Sequence, residues 1–242
     1  MLAIFKKEIS SFFSSIIAYV VVSIFLIANG IFLWILPDSN IFDFGYANLN
    51  SLFELAPWVF MFLIPAVTMR SFAEERKNGT LEIILTKPLS DYHIIIGKYL
   101  AGLTLVIISI LPTLIYYYTV YFLASPVGNI DTGGIIGSYI GLFFLASIYV
   151  SIGIFASSLN DNQIISFIIA LFICFFFYVL IDLIRGLFLI SPIDPVLQFL
   201  SISTHYSSIS RGIIDSRDII YFISFNAIFI VLTKMITERR KW

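Results

Sequence analysis

Residues 72–90 read FAEERKNGTLEIILTKPLS. Six of them are charged (Glu74, Glu75, Arg76, Lys77, Glu82 and Lys87), in a chain that is 12% charged and 60% hydrophobic. On both sides of this polar island the sequence turns apolar. A hydrocarbon layer about 30 Å thick takes roughly 20 apolar residues as a helix. Six runs of that length occur, at 16–36, 54–72, 93–123, 137–157, 164–190 and 218–236. With 25 Phe, 13 Tyr and a mean hydropathy of +1.00, the 242 residues carry more apolar surface than a soluble core of that size hides. The expected fold is therefore an all-α polytopic membrane protein, one transmembrane domain over 1–242 with six transmembrane helices. The polar island is its loop between the second and third spans.

Charge sign orients the loop. If the N-terminus is cytoplasmic, the inner side collects Lys6, Lys7, Arg70, Arg76, Lys77, Lys87, Lys98, Lys234, Arg239, Arg240 and Lys241, and the outer side only Arg185, Arg211 and Arg217. Eleven against three follows the positive-inside rule with both termini cytoplasmic, in a bacterial inner membrane. The net charge of −1 points to no nucleic acid. Lys6 and Lys7 precede the first run, but no small-x-small site comes before LPDSN at 36–40, so that run reads as an uncleaved signal anchor. Cys174 is the only cysteine, which excludes an intramolecular disulfide.

Along the chain, Leu2, Phe5, Ile9 and Phe12 recur at helical spacing among Lys6, Lys7 and Glu8, the pattern of an interfacial helix over 1–13. The second run holds Pro57 and Pro65, each removing a backbone donor, which leaves a hinge or a static bend open. The third run is too long for the bilayer, so it tilts, kinks at Pro112 or projects outward with its tyrosines. Gly133, Gly137 and Gly141, four apart, open a helix-packing seam that continues with Ser147, Ser151 and Gly153. Asp161 or Asn162 caps the fifth span, and Asp182 with Arg185 forms a structural ion pair near its outer end. The outer segment 191–217 reads as short surface helices. Its His205 has no Cys or second His nearby, so no metal site is expected, and His93 sits at the interface.

Within the island, Thr80 stands where an N-cap would, Glu82 lies in the first turn, Gly79 permits a sharp bend and Pro88 stops the element. Leu81, Ile84 and Leu85 share one face. Such a short amphipathic helix can insert into lipid or fill a groove on a partner. Spacing alone does not choose.

The stretch IPAVTMRSFAEERKNGTLEIILTKPLSDYHIIIGKYLAG, 64–102, resembles the segment between spans two and three of ABC-2-type transporter permeases. There E-x-x-x-G-T-L-E, here Glu75, Gly79, Thr80, Leu81 and Glu82, precedes a Pro-Leu-Ser turn (Pro88, Leu89, Ser90) and Gly97-Lys98. The link GIFASSLNDNQIISF, 153–167, is similar to that family's link between spans four and five. The segment 205–222 and the closing TERRKW resemble the branch associated with bacterial gliding motility. The resemblance implies an ABC-2-type permease fold that pairs with a second permease half, the same chain or another. It also implies ABC ATPase subunits gripping a coupling segment at 72–90, with Glu74, Glu75, Arg76, Gly79, Thr80, Leu81, Glu82, Ile84 and Leu85 as the interface. No cofactor is expected on the chain itself. It contains no G-x-x-x-x-G-K-[ST], so ATP would be bound by the partner. An accessory subunit on the outer side fits the same architecture.

Two readings follow: transport driven by the ATPase, or a non-transporting mechanical or scaffolding subunit of a motility apparatus. A secondary transporter or channel would place ionisable groups or broken helices near the midplane, where only the prolines qualify.

Overall fold

The structure, a computed structural model, describes residues 1–37, 40–43, 47–85, 90–187, 194–213 and 215–238, with the side chains of 83–85 and 187 outside the description. The described residues form helices α1 (Leu2–Ser14), α2 (Ile16–Trp34), α3 (Asn50–Thr68), α4 (Arg70–Lys77) and α5 (Thr80–Leu85), then α6 (Asp91–Ile110) and α7 (Leu114–Leu123). They continue as α8 (Thr132–Leu159), α9 (Gln163–Phe175), α10 (Ile181–Leu187), α11 (Asp194–Leu200), α12 (Ile202–Ser210) and α13 (Ser216–Glu238). No strand occurs among them. Six stretches are long and apolar enough to cross a membrane: α2, α3 with α4, α6 through α7, α8, α9 through Gly186, and α13. The chain is a multi-pass membrane protein.

Local chemistry explains the interruptions. Pro112 denies Ile108 its donor, and the third span passes through a 3-10 turn at Leu111–Thr113 before resuming as α7. Pro57 likewise frees the Phe53 carbonyl inside α3. The Tyr206 hydroxyl of α12 donates to it at 2.7 Å, so a neighbour holds this proline site in place. The fifth span loosens into a π-helical turn at Phe176–Leu180. Asn162, rather than Asp161, caps α9, accepting the Ile164 and Ile165 N–H groups. The first span ends at Trp34, ahead of Pro37.

α8 is the axis of the bundle. Of its apolar window 78% is buried, against 22% for the fifth span, and it packs on α3, α4, α6, α9, α12 and α13. Small residues make this possible. A Cβ on Gly137 would lie 2.6 Å from the Ile209 carbonyl, and one on Gly141 would touch Tyr206, while Gly133 faces only the side chain of its own Asp131. The stripe read from the sequence as a seam therefore seats the short helix α12. The closest approach between spans comes further along, where a Cβ on Gly153 would overlap the Thr68 hydroxyl of α3. A polar tie at mid-helix runs from Asn226 Nδ2 of α13 to Ser147 Oγ at 2.8 Å.

The elements gather at two ends. The base holds α1, α4, α5 and the start of α6; the far end holds α7, α11 and α12. At the base, α1 turns Ile4 and Glu8 into the protein, and Ile4 lies against Gly97 of α6, where a Cβ would come within 3.0 Å. The apolar row Leu2, Phe5, Ile9 and Phe12 is not the buried one. The protein-facing row is set by Glu8, for the reason below.

Candidate functional site

The base is built around an elbow. α3 stops at Thr68 and α4 begins at Arg70, which leaves the first N–H groups of α4 without helical partners. Ser157 of α8 supplies what is missing. Its hydroxyl oxygen accepts from Phe72 N at 2.9 Å and Ala73 N at 3.0 Å, and its O–H donates to the Met69 carbonyl at 2.8 Å. One residue on, the Ser158 carbonyl accepts from the Arg76 guanidinium at 2.6 Å. The elbow is thus clamped to the end of α8 at two successive residues.

α4 ends at a left-handed glycine. Gly79 has φ +68°, with Asn78 N bonded to the Glu74 carbonyl at 3.0 Å and Gly79 N to the Arg76 carbonyl at 3.1 Å. Thr80 does not act as the N-cap read from the sequence. It is already the first residue of α5, and its hydroxyl instead donates to the Glu75 carbonyl at 3.2 Å, satisfying the helix just ended. Ser90 occupies the N-cap position of α6, but its hydroxyl pairs with His93 Nδ1 at 2.8 Å.

Beneath the elbow lies a buried ion cluster. Lys98, 2% exposed, projects from α6 between Glu8 of α1, 6% exposed, and Glu75 of α4, 8% exposed. Its Nζ lies 2.8 Å from Glu8 Oε1 and 2.9 Å from Glu75 Oε2. It also donates to the Ser71 carbonyl at 2.7 Å and stands 4.9 Å from the centroid of the Phe72 ring. Lys7 completes the set, bonded to Glu75 and 3.4 Å from Glu8. Burial disfavours the Lys7 ammonium, but the bond to Glu75 and the charges of Glu75 and Glu8 outweigh it and raise its pKa above the ordinary value. Two cations against two carboxylates leave the cluster neutral. A buried ammonium is tolerated only when it is compensated, and here Nζ donates to Glu8 and the Ser71 carbonyl and stands in ion-pair contact with Glu75. This is why α1 shows Glu8 to the protein.

The nine residues read from the sequence as a partner interface divide accordingly. Glu75, Arg76 and Leu81 face inward. Glu74 pairs with Arg70 at 2.8 Å along α4. Gly79, Thr80 and Glu82 are exposed, as are Lys77 and Asn78, and form a polar tip. The side chains of Ile84 and Leu85, and residues Lys87, Pro88 and Leu89, lie outside the described residues. Sequence reading missed the roles of Lys98, Glu8 and Ser157. The available signal was Lys98 itself, an ionisable residue seven positions into an apolar span, which demands a partner.

A helical bundle with a clamped elbow, a neutral ion cluster and a polar tip is a membrane subunit with one exposed polar joint at an end of the bundle. A family model described as ABC-2 family transporter protein matches residues 2–237. The chain belongs to that family, as a membrane permease component of an ABC transporter that works with ABC ATPase subunits. No curated protein matches the chain.

Proposed function

We propose that the base is cytoplasmic and that a separate nucleotide-binding subunit grips the polar tip at 77–82, so that ATP binding and hydrolysis there move the bundle. The observation that carries this reading is the division of the 72–90 segment. Its inward residues are fixed to α8 and α6 by Ser157, Ser158 and Lys98, while its outward residues are polar and exposed at the end of a left-handed turn. Motion imposed on the tip therefore acts on three spans at once. The excess of Lys and Arg at this end supports the orientation.

The test is co-purification with the ATPase and its stimulated hydrolysis. Lys77→Ala/Glu82→Ala removes two exposed groups without touching the clamp, and the expected result is loss of stimulation with unchanged thermal stability. Unchanged association and stimulation would overturn the reading. A cavity of about 540 Å³ at the far end, lined by Glu54, Trp58, Tyr178 and Tyr206, favours solute movement over a purely mechanical part. Vesicles carrying both subunits separate the two, since ATP-dependent solute movement excludes the scaffold. Service to gliding motility is the finer reading that the resemblance of 205–222 supports.

A further inference from the structure

We infer that the far end carries a proton-operated clasp centred on His205. This ring joins three elements. From α12, His205 Nδ1 lies 2.7 Å from Asp218 Oδ1 of α13, and Nε2 lies 3.2 Å from the Phe199 carbonyl of α11. Its face stacks on Tyr221 of α13 at 3.9 Å between centroids. A neutral imidazole has one N–H and one lone pair, whereas a carboxylate and a carbonyl both only accept. The neutral ring can therefore serve one partner and must turn a lone pair toward the other. Only the imidazolium donates to both.

The surroundings make the second proton matter. Asp218 is buried, and its Oδ2 has no hydrogen-bond partner among the described residues, so the carboxylate draws its compensation from His205. The other charged groups of this end are engaged or peripheral. Arg185 of α10 pairs with Asp194 of α11 at 3.0 Å and donates to Thr204 at 3.2 Å. Arg211, exposed at the rim of the same cavity, donates to the Ser207 carbonyl at 3.2 Å. Asp215 accepts the Arg217 N–H at 2.9 Å, and the Tyr221 hydroxyl turns away to the Leu200 carbonyl at 2.9 Å.

The sign follows from linkage. Because only the doubly protonated ring donates to both partners, closure is favoured while His205 carries its second proton and is lost as rising pH removes that proton. Opening releases the Phe199 carbonyl and loosens the last turn of α11, which Arg185 and the Tyr221 hydroxyl still tether, while α12 stays seated on α8 through Gly137 and Gly141. If the base is cytoplasmic, as proposed above, the clasp faces the outer compartment and reports its acidity.

The test uses the full chain in lipid nanodiscs without any ATPase, so that it reads the clasp whether or not the tip couples to a motor. Cys174 is replaced by Ala and a spin label is placed at Gln198→Cys on the exposed side of α11. Label mobility is then followed by electron paramagnetic resonance from about pH 5.5 to about pH 8.5, spanning the ordinary histidine range. The expected result is an immobile label at low pH, with the mobile-to-immobile ratio rising by up to about tenfold per pH unit, the slope of a single proton. His205→Gln abolishes the pH dependence, and Asp218→Asn, whose amide can donate to a neutral Nδ1 while the Nε2–H serves Phe199, leaves the label immobile across the range. A wild-type spectrum that does not change over this interval overturns the clasp, as does a pH dependence that survives in His205→Gln.

Discussion

Replacing Lys98 with methionine tests the cluster that organises the base. The substitution keeps an unbranched chain of similar length but removes two donated bonds, to Glu8 and the Ser71 carbonyl, and the ion contact with Glu75. It leaves two buried carboxylates facing each other with Lys7 as their remaining cation, and the Lys7 side chain is half exposed. Removing one partner of a buried ion pair costs about 3–5 kcal/mol. Lys7 holds this case at the lower limit, about 3 kcal/mol. At ~2–4 °C per kcal/mol for a chain of this size, the expected fall in apparent Tm is about 6–12 °C, measured in one lipid composition. The informative comparison is Lys98→Met with Glu8→Gln and Glu75→Gln. With no buried charge left stranded, the triple variant recovers most of the loss, because neutral replacements of a whole buried cluster cost little. If Lys98→Met melts with wild type, or the triple variant melts below the single one, then charge compensation is not what holds α1, α4 and α6 together.

Two further substitutions probe the packing. Tyr206→Phe strands the Phe53 carbonyl that Pro57 cannot serve, at a cost of about 1–3 kcal/mol by thermal unfolding; in a Pro57→Ala background, where residue 57 regains its own N–H, the same change is expected to cost little. Gly153→Ala drives a methyl into the Thr68 side chain and is expected to destabilise by about 1–3 kcal/mol, with Thr68→Gly, which removes the Cβ as well as the hydroxyl, relieving the overlap in the double variant.

The six spans were legible because hydrophobic run length is a one-dimensional property, and the third span's break at Pro112 followed from a missing donor. The elbow was half legible. Gly79 and the charged run marked a bend, but the bend is made by Ser157, some 80 positions away and unremarkable in its own stretch. Glu75 looked like a surface residue because charge in a loop usually is. Its burial depends on Lys98 and Glu8 converging from two other helices, which no local pattern encodes. The glycine stripe was visible as a place of close approach but carried no information about what approaches. Gly137 proved to seat α12, and the tight span contact fell to Gly153, in the same four-residue phase but beyond the bulky Leu145 and Tyr149. His205 offered only the absence of metal partners, while its actual partners are a carboxylate and a main-chain oxygen brought in by neighbouring helices.

α8 runs 28 residues, about 42 Å at 1.5 Å per residue. One end grips the elbow through Ser157 and Ser158, and the other carries α12 on bare glycine backbone. The Ser157 hydroxyl bonds the elbow backbone directly and Gly137 meets the α12 backbone directly, so the helix acts as a pushrod. A tilt of a few degrees at one membrane face arrives at the opposite face as a shift of the α12 platform, without requiring the lipid-facing helices to rearrange.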